Sequence, residues 1–144
     1  MQERYIYPAV FDPCEEGGYC ITYPDLPGIV SEGDTVEECL SMAKEALELH
    51  LYGMEEDSDP IPEPTHPSRV EVPKGGFVSM VEAVMPLFRD KMANKSVTAT
   101  VTLPRWLKSL ADKNSINYSH VLQSGIKDRL GVYDYRQTGK GKKL

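Results

Sequence analysis

Three aspartates flank candidate strands in this chain, Asp12, Asp25 and Asp34, and its thiols are Cys14, Cys20 and Cys39. Carboxylates converging from strands and a helix could hold two divalent ions for phosphodiester hydrolysis. These three have a different context. Asp12 precedes Pro13, Asp25 lies between Pro24 and Leu26, and Asp34 follows Gly33, so turn formation and helix capping account for them. No acid sits inside a central apolar strand, as such a site demands. The thiols form no CxxC pair, His50, His66 and His120 are scattered singly, and three cysteines cannot pair evenly, so reduced structural thiols are expected rather than a zinc site. Ser31, Ser41 and Ser58 lack a nucleophile-elbow frame. The expectation is a protein with no catalytic residues, no metal site and no cofactor.

A different chemistry is written in SVTATVTLP, residues 96 to 104. Thr98, Thr100 and Thr102 alternate with Val97, Ala99, Val101 and Leu103, so a strand here presents hydroxyls on one face and an apolar row on the other. Alone, such a strand leaves its backbone groups unpaired on both sides. The charge distribution says what the hydroxyl row could meet. Of the 144 residues, carrying a net charge of -6, residues 1 to 94 hold 6 Lys and Arg against 19 Asp and Glu (net -13), and residues 95 to 144 hold 10 against 3 (net +7). A basic segment of this density is the footprint of a polyanion binder, whereas the acidic part would repel nucleic acid and attract a basic protein.

The elements that would position these groups follow from periodicity. In the acidic part, YIYPAVF (5 to 11) and YCITYPD (19 to 25) read as strands joined by the turn-forming EEGG, and IVSE (29 to 32) as a short third. Pro8 lacks an N–H, which places the first strand at an edge or calls for a bulge there. GDTVEECLSMAKEALELHLYGM predicts a helix from about Thr35 to Met54, capped by Asp34 or Thr35 with Glu37 or Glu38 in the first turn, and stopped by Gly53. Its buried face is expected to be Val36, Cys39, Leu40, Ala43, Ala46, Leu47 and Leu51. Five prolines between 59 and 73 mark an excursion within the domain, because GGFVSMVEAVM (75 to 85) is another strand that needs a sheet. Polarity rises and the charge changes sign over LFRDKMANK (87 to 95), the expected domain boundary.

YPAVF, GYCITYPDLPG, EGDTVEE, KEALELHL and IPEP, in this order and spacing, resemble the HicB antitoxin family over essentially all of residues 4 to 91. The resemblance implies a partial ribonuclease-H-like β-β-β-α-β domain over residues 1 to 91 that binds and blocks HicA, a small basic ribonuclease toxin. It leaves the toxin-contacting residues unassigned.

In the basic part, Pro104 suits the first turn of a helix with Leu103, Leu107, Leu110 and Ala111 on its apolar stripe, ended by Asn114 and Ser115. A second helix starts from the cap Asn117 and ends at Gly131, with Tyr118, Val121, Leu122, Gly125, Ile126 and Leu130 facing inward and Gly125 serving a close helix crossing. Trp106 is expected in the core. The strand-proline-helix-cap-helix order resembles the ribbon-helix-helix family over residues 95 to 132. That resemblance implies a dimer through Val97, Ala99, Val101 and Leu103, a two-stranded ribbon in the major groove with Thr98, Thr100 and Thr102 at base edges, and a phosphate held near Asn117, Tyr118 and Ser119. Three threonines make few strong base contacts, so methyl contacts and DNA shape share the specificity. YDYRQTGKGKKL (133 to 144) is expected to be a basic flexible tail.

The expectation is therefore an α+β antitoxin and autorepressor whose partners are a HicA-like ribonuclease toxin, operator DNA and further copies of itself, as a homodimer or tetramer. A solitary ribbon-helix-helix regulator and, in another class, a metal-dependent nuclease are the alternatives. No apolar run approaches the roughly 20 residues of a membrane helix, and a cytoplasmic protein without a membrane partner is expected.

Overall fold

The computed structural model describes residues 1–133, so the basic tail expected over 133 to 144 lies, from residue 134 on, outside the described residues. The chain divides into two compact units, Met1–Arg89 and a second that begins at Asp90. The first holds strands β1 (Arg4–Pro13), β2 (Tyr19–Thr22) and β3 (Val30–Gly33), helix α1 (Val36–Glu56), strand β4 (Phe77–Val84) and most of helix α2 (Met85–Ala93). The second holds α3 (Arg105–Lys113) and α4 (Tyr118–Leu130). The first unit is thus α+β, in the expected β-β-β-α-β order.

The sheet order is β3-β2-β1-β4, and every neighbouring pair is antiparallel. The β1–β2 turn uses Gly17 and Gly18, both at positive φ, and a Cβ on Gly18 would stand 2.3 Å from the Gly33 carbonyl. Tyr5, Tyr7, Ala9 and Phe11 share one face with Ile21, Val81 and Ala83, and all are buried. Helix α1 covers this face with Cys39, Ala43, Leu47 and Leu51, each fully buried. Every fourth residue lands there, the narrow stripe of one helix on one sheet. The expected face was too wide: Val36 and Leu40 are 46% and 41% exposed, to the side of the stripe that runs through Cys39.

Thr35 is the cap of α1. Its Oγ1 accepts the Glu38 N–H at 3.1 Å, and Glu38 in turn accepts the N–H of Asp34 rather than of the cap itself. Gly53 does not stop the helix, which runs to Glu56 and ends at Asp57, with Ser58 at φ 57°. Tertiary contact overrides the glycine: Glu55 of the extra turn holds Arg89 of α2 at 2.5 Å. Beneath it, Met85 and Phe88 of α2 are buried, and Phe88 meets Tyr52 edge to ring.

β1 is a central strand, not the edge strand Pro8 suggested. The ladder to β2 begins only at Val10, so Pro8 pairs with Met80 on one side and has no β2 residue on the other. Its missing N–H is placed where no strand asks for it.

The five-proline segment solves a problem of direction. Because β3 and β1 run one way and β4 the other, α1 ends at the level of Gln2 and Val84, whereas β4 must begin beside Phe11. Residues 57 to 76 climb back along the sheet, and proline-rich extended chain covers about 3.1 Å per residue. Three bonds pin the climb: the Tyr7 hydroxyl donates to the Pro62 carbonyl, and Asp25 accepts the N–H of Thr65 at 2.9 Å and its hydroxyl at 2.6 Å. Asp25 is therefore a loop fastener.

Burial pushes the Tyr7 phenol up to about 12, helped by Asp25, and burial also raises that of Tyr23, which donates to the Ala43 carbonyl at 2.7 Å. In the unfolded chain both would ionise near pH 10. Above that pH the unfolded state binds fewer protons than the folded one, so stability falls as pH rises from about 10 toward 12. Melting temperatures measured between pH 9 and 11.5 should decline, and Tyr7→Phe with Tyr23→Phe should flatten that decline. An equal slope in the double variant would contradict it.

Candidate functional site

The second unit carries exposed apolar residues along both its helices, and none of its described residues is buried. Residues 96 to 104 join no sheet, and α3 and α4 are linked by four residues through Asn117, whose Oδ1 accepts the N–H of His120 at 3.0 Å. Asn114 caps the end of α3, Ser115 takes φ 54°, and Gly131 ends α4 at φ 69°. The local signals thus produce the two helices.

The expected core is that of two paired chains, and in the single chain the faces assigned to it are exposed. None of the described residues from 95 to 133 is buried. Val97 is 87% exposed, Val101 57%, Leu110 51% and Ile126 50%. Trp106, expected in the core, is 66% exposed; of the inward face expected for α4, Tyr118 and Val121 share a hollow with α3, and Ile126 and Leu130 are exposed. A Cβ on Gly125 would meet no atom within 4 Å, so the close helix crossing expected there does not occur within one chain. Leu103, Leu107, Leu110, Ile116 and Val121 line an open apolar hollow of about 490 Å³. Exposure of this extent is a surface awaiting a partner.

Thr98, Thr100 and Thr102 are exposed together with the apolar row Val97, Ala99, Val101 and Leu103. At the start of α4, the N–H groups of Tyr118 and Ser119 have no acceptor within the helix. The Tyr118 hydroxyl, however, is already engaged: it donates to Asp112, which also takes Lys108 at 2.8 Å. The Lys108 ammonium and the phenol hold the Asp112 carboxyl below its usual range, and the Asp112 hydrogen bond raises Tyr118. A phosphate at this helix end would meet backbone donors and not the phenol. The Lys108/Asp112 spacing was readable as an i,i+4 pair, whereas its link to Tyr118 depends on the turn between the helices.

Among the described residues no cluster of three or more His, Cys, Asp or Glu could hold a metal ion, and no helix is long and apolar enough to cross a membrane. The three cysteines are free thiols.

A family model described as the HicB-like antitoxin of bacterial toxin-antitoxin systems matches residues 7–130, both units together. The chain belongs to that family. Among HicB relatives, it is 41% identical over 69 residues to antitoxin HicB 1 of Photorhabdus laumondii, covering 46% of this chain and 44% of that one. With antitoxin HicB of Escherichia coli K12 it shares 35% over 71 residues, covering 46% and 51%. These matches span about half the length of the curated relatives. In three dimensions the chain resembles one from a toxin-antitoxin complex of Streptococcus pneumoniae, with a TM-score of 0.59 at 21% identity over 88% of this chain and 99% of that one. The fold is thus shared at low sequence identity.

Proposed function

We propose that this HicB-family chain is an antitoxin that also represses its own operon. The acidic first unit, a partial ribonuclease-H-like domain on the strength of its β-β-β-α-β order, binds and blocks a small basic ribonuclease of the HicA type. The second unit is a ribbon-helix-helix module. Two chains pair residues 97 to 103 antiparallel about a two-fold axis, close four helices over one core, and set the ribbon in the major groove of the operator. The protein acts by binding, without turnover of its own.

The observation that carries the DNA-binding half is the second unit's exposed apolar surface. A unit with valine, leucine, isoleucine and tryptophan exposed along its length, and no buried residue from 95 to 133, gains its core from a second copy. Pairing also gives the lone strand its ladder and turns the three threonines outward on one side. The net charge of +7 over residues 95 to 144 suits that ribbon to a phosphate backbone.

The test is Thr98→Ala, Thr100→Ala and Thr102→Ala together, with gel shifts on the promoter upstream of the gene and sedimentation of the same protein. Dimerisation should persist because the apolar row is untouched. Each chain loses three hydroxyls and the dimer six, so operator preference over random DNA should fall by up to about ten-thousandfold, at about 1 kcal/mol for each single-hydroxyl contact, the low end for base readout. Undiminished preference would reduce the threonines to solvent-facing strand residues.

A further inference from the structure

In the first unit, α1 covers one face of the sheet; on the other, Pro8 is fully buried and the Pro67–Arg69 turn packs against β4, while the part formed by β2 and β3 is exposed. On this second face Val30, Thr22, Val10 and Val78 stand opposite one another in register, a single row across all four strands. Met80 and Ile6 lie farther along the same face of β4 and β1, beside the buried Pro8. Val30 is 75% exposed, Ile6 48% and Met80 43%. Glu71, Val72 and Pro73, at the top of the climbing segment, lie over one end of this face, leaving a hollow of about 320 Å³ against Val10 and Thr22. Its rim is acidic. Asp12 and Glu71 line the hollow, Glu32 pairs with Cys20 one step along β2, and the Arg4 charge is taken up by Glu82 at 3.1 Å.

We infer that the exposed part of this face, centred on the Val30–Thr22 pair and the hollow beside Val10, is where the first unit receives its protein partner. The occupant is a basic segment of the small ribonuclease that sets an apolar side chain into the hollow and its lysines or arginines against Asp12, Glu32 and Glu71. The inference rests on the toxin-binding reading above and names the surface that performs it. Apolar centre and charged rim are the anatomy of a specific interface, and the acidic unit, at net -13 over residues 1 to 94, draws a basic partner onto it. The outward side of α1 is the competing surface. There the exposed Val36, Leu40, Met42 and Leu49 are interspersed with the exposed Glu37, Lys44 and Glu45.

The experiment uses the full chain with the HicA-like toxin encoded beside its gene, made catalytically inactive for expression. Affinity is measured for the wild type, for Thr22→Lys with Val30→Lys, and for Met42→Lys with Leu49→Lys. Both pairs replace exposed side chains. The sheet pair should weaken binding about a hundredfold or more, because it sets two cations against a basic partner. The helix pair should stay within about threefold. Unchanged affinity in the sheet pair, or loss confined to the helix pair, overturns the inference and leaves the antitoxin reading standing. A wild type that does not bind overturns both. Hydrogen exchange of the wild-type complex decides even if the sheet pair misfolds: protection over residues 19–33 and 70–80 supports the inference, and protection confined to α1 contradicts it.

Discussion

Val101→Asp should sediment as a monomer at concentrations where the wild type is a dimer, and it should fail to shift operator DNA. Val101 sits in the apolar row, 57% exposed in the single chain, and pairing of two ribbons would bury it against the four helices. A carboxylate there must shed its water with no partner to replace it, and the two-fold axis brings a second one with it. Several kcal/mol per buried ion is the expected scale, which raises the dimer dissociation constant by about a thousandfold or more. DNA binding goes with the dimer, since one chain supplies half the ribbon and half the phosphate contacts. Thr100→Asp makes the comparison specific. On the opposite face of the same strand it should leave the dimer intact and weaken DNA binding by repulsion alone. A Val101→Asp protein that still dimerises, or a Thr100→Asp protein that does not, would place the apolar row elsewhere. Sedimentation velocity over a concentration series, with gel shifts at one fixed salt concentration, reads both.

What was legible in the sequence is what local chemistry decides. Thr35 with Glu38 announces the start of α1, Asn117 and Gly131 bracket α4, and EEGG supplies the two positive-φ glycines of the hairpin. These signals act over one turn of chain, and the structure follows them. The misreadings arose where a distant contact outweighed a local rule. Gly53 costs a helix about 1 kcal/mol, less than Glu55 gains by reaching Arg89. Pro8 argued for an edge strand, and β1 is central, yet β2 is short enough that the proline never meets it. LFRDKMANK reads as a polar junction, and the two units divide within it, after Arg89, inside a helix whose Phe88 packs on Tyr52 of α1. Trp106 and the α4 stripe were assigned to a core that one chain does not contain, since amphipathic spacing shows that a face will be buried and not by which molecule. The second sheet face was missed for a related reason. Val10, Thr22, Val30 and Val78 are separated by as many as 68 positions in sequence, and only the register sets them in one row.

The Glu55–Arg89 pair is the contact most able to show how far tertiary structure holds this fold beyond its local signals. Arg89 Nε lies 3.1 Å from one Glu55 oxygen and a terminal nitrogen 2.5 Å from the other, a two-point grip, and the same guanidinium donates to the Gln2 carbonyl at 2.8 Å. The Glu55 side chain is 5% exposed and that of Arg89 20%. One arginine thus ties the end of α1, the N-terminal residues and α2. Glu55→Ala removes both charge-assisted bonds and leaves a mostly enclosed cation with its carbonyl contact, at a cost of about 3 kcal/mol, the lower end for breaking a buried pair. Glu55→Gln keeps one acceptor and should cost about half as much. Replacing both partners, Glu55→Met with Arg89→Met, should restore much of the loss, since no charge is then left without its partner. Urea unfolding of the four proteins measures this directly. The same substitution should return the end of α1 toward Gly53. Amide exchange at Asp57 and Asp59, which donate to the Gly53 and Met54 carbonyls, should accelerate in Glu55→Ala more than exchange in the middle of the helix. Equal stability of Glu55→Ala and wild type would mean that packing of Tyr52 and Phe88 alone holds the last turn, and that the ion pair only decorates it.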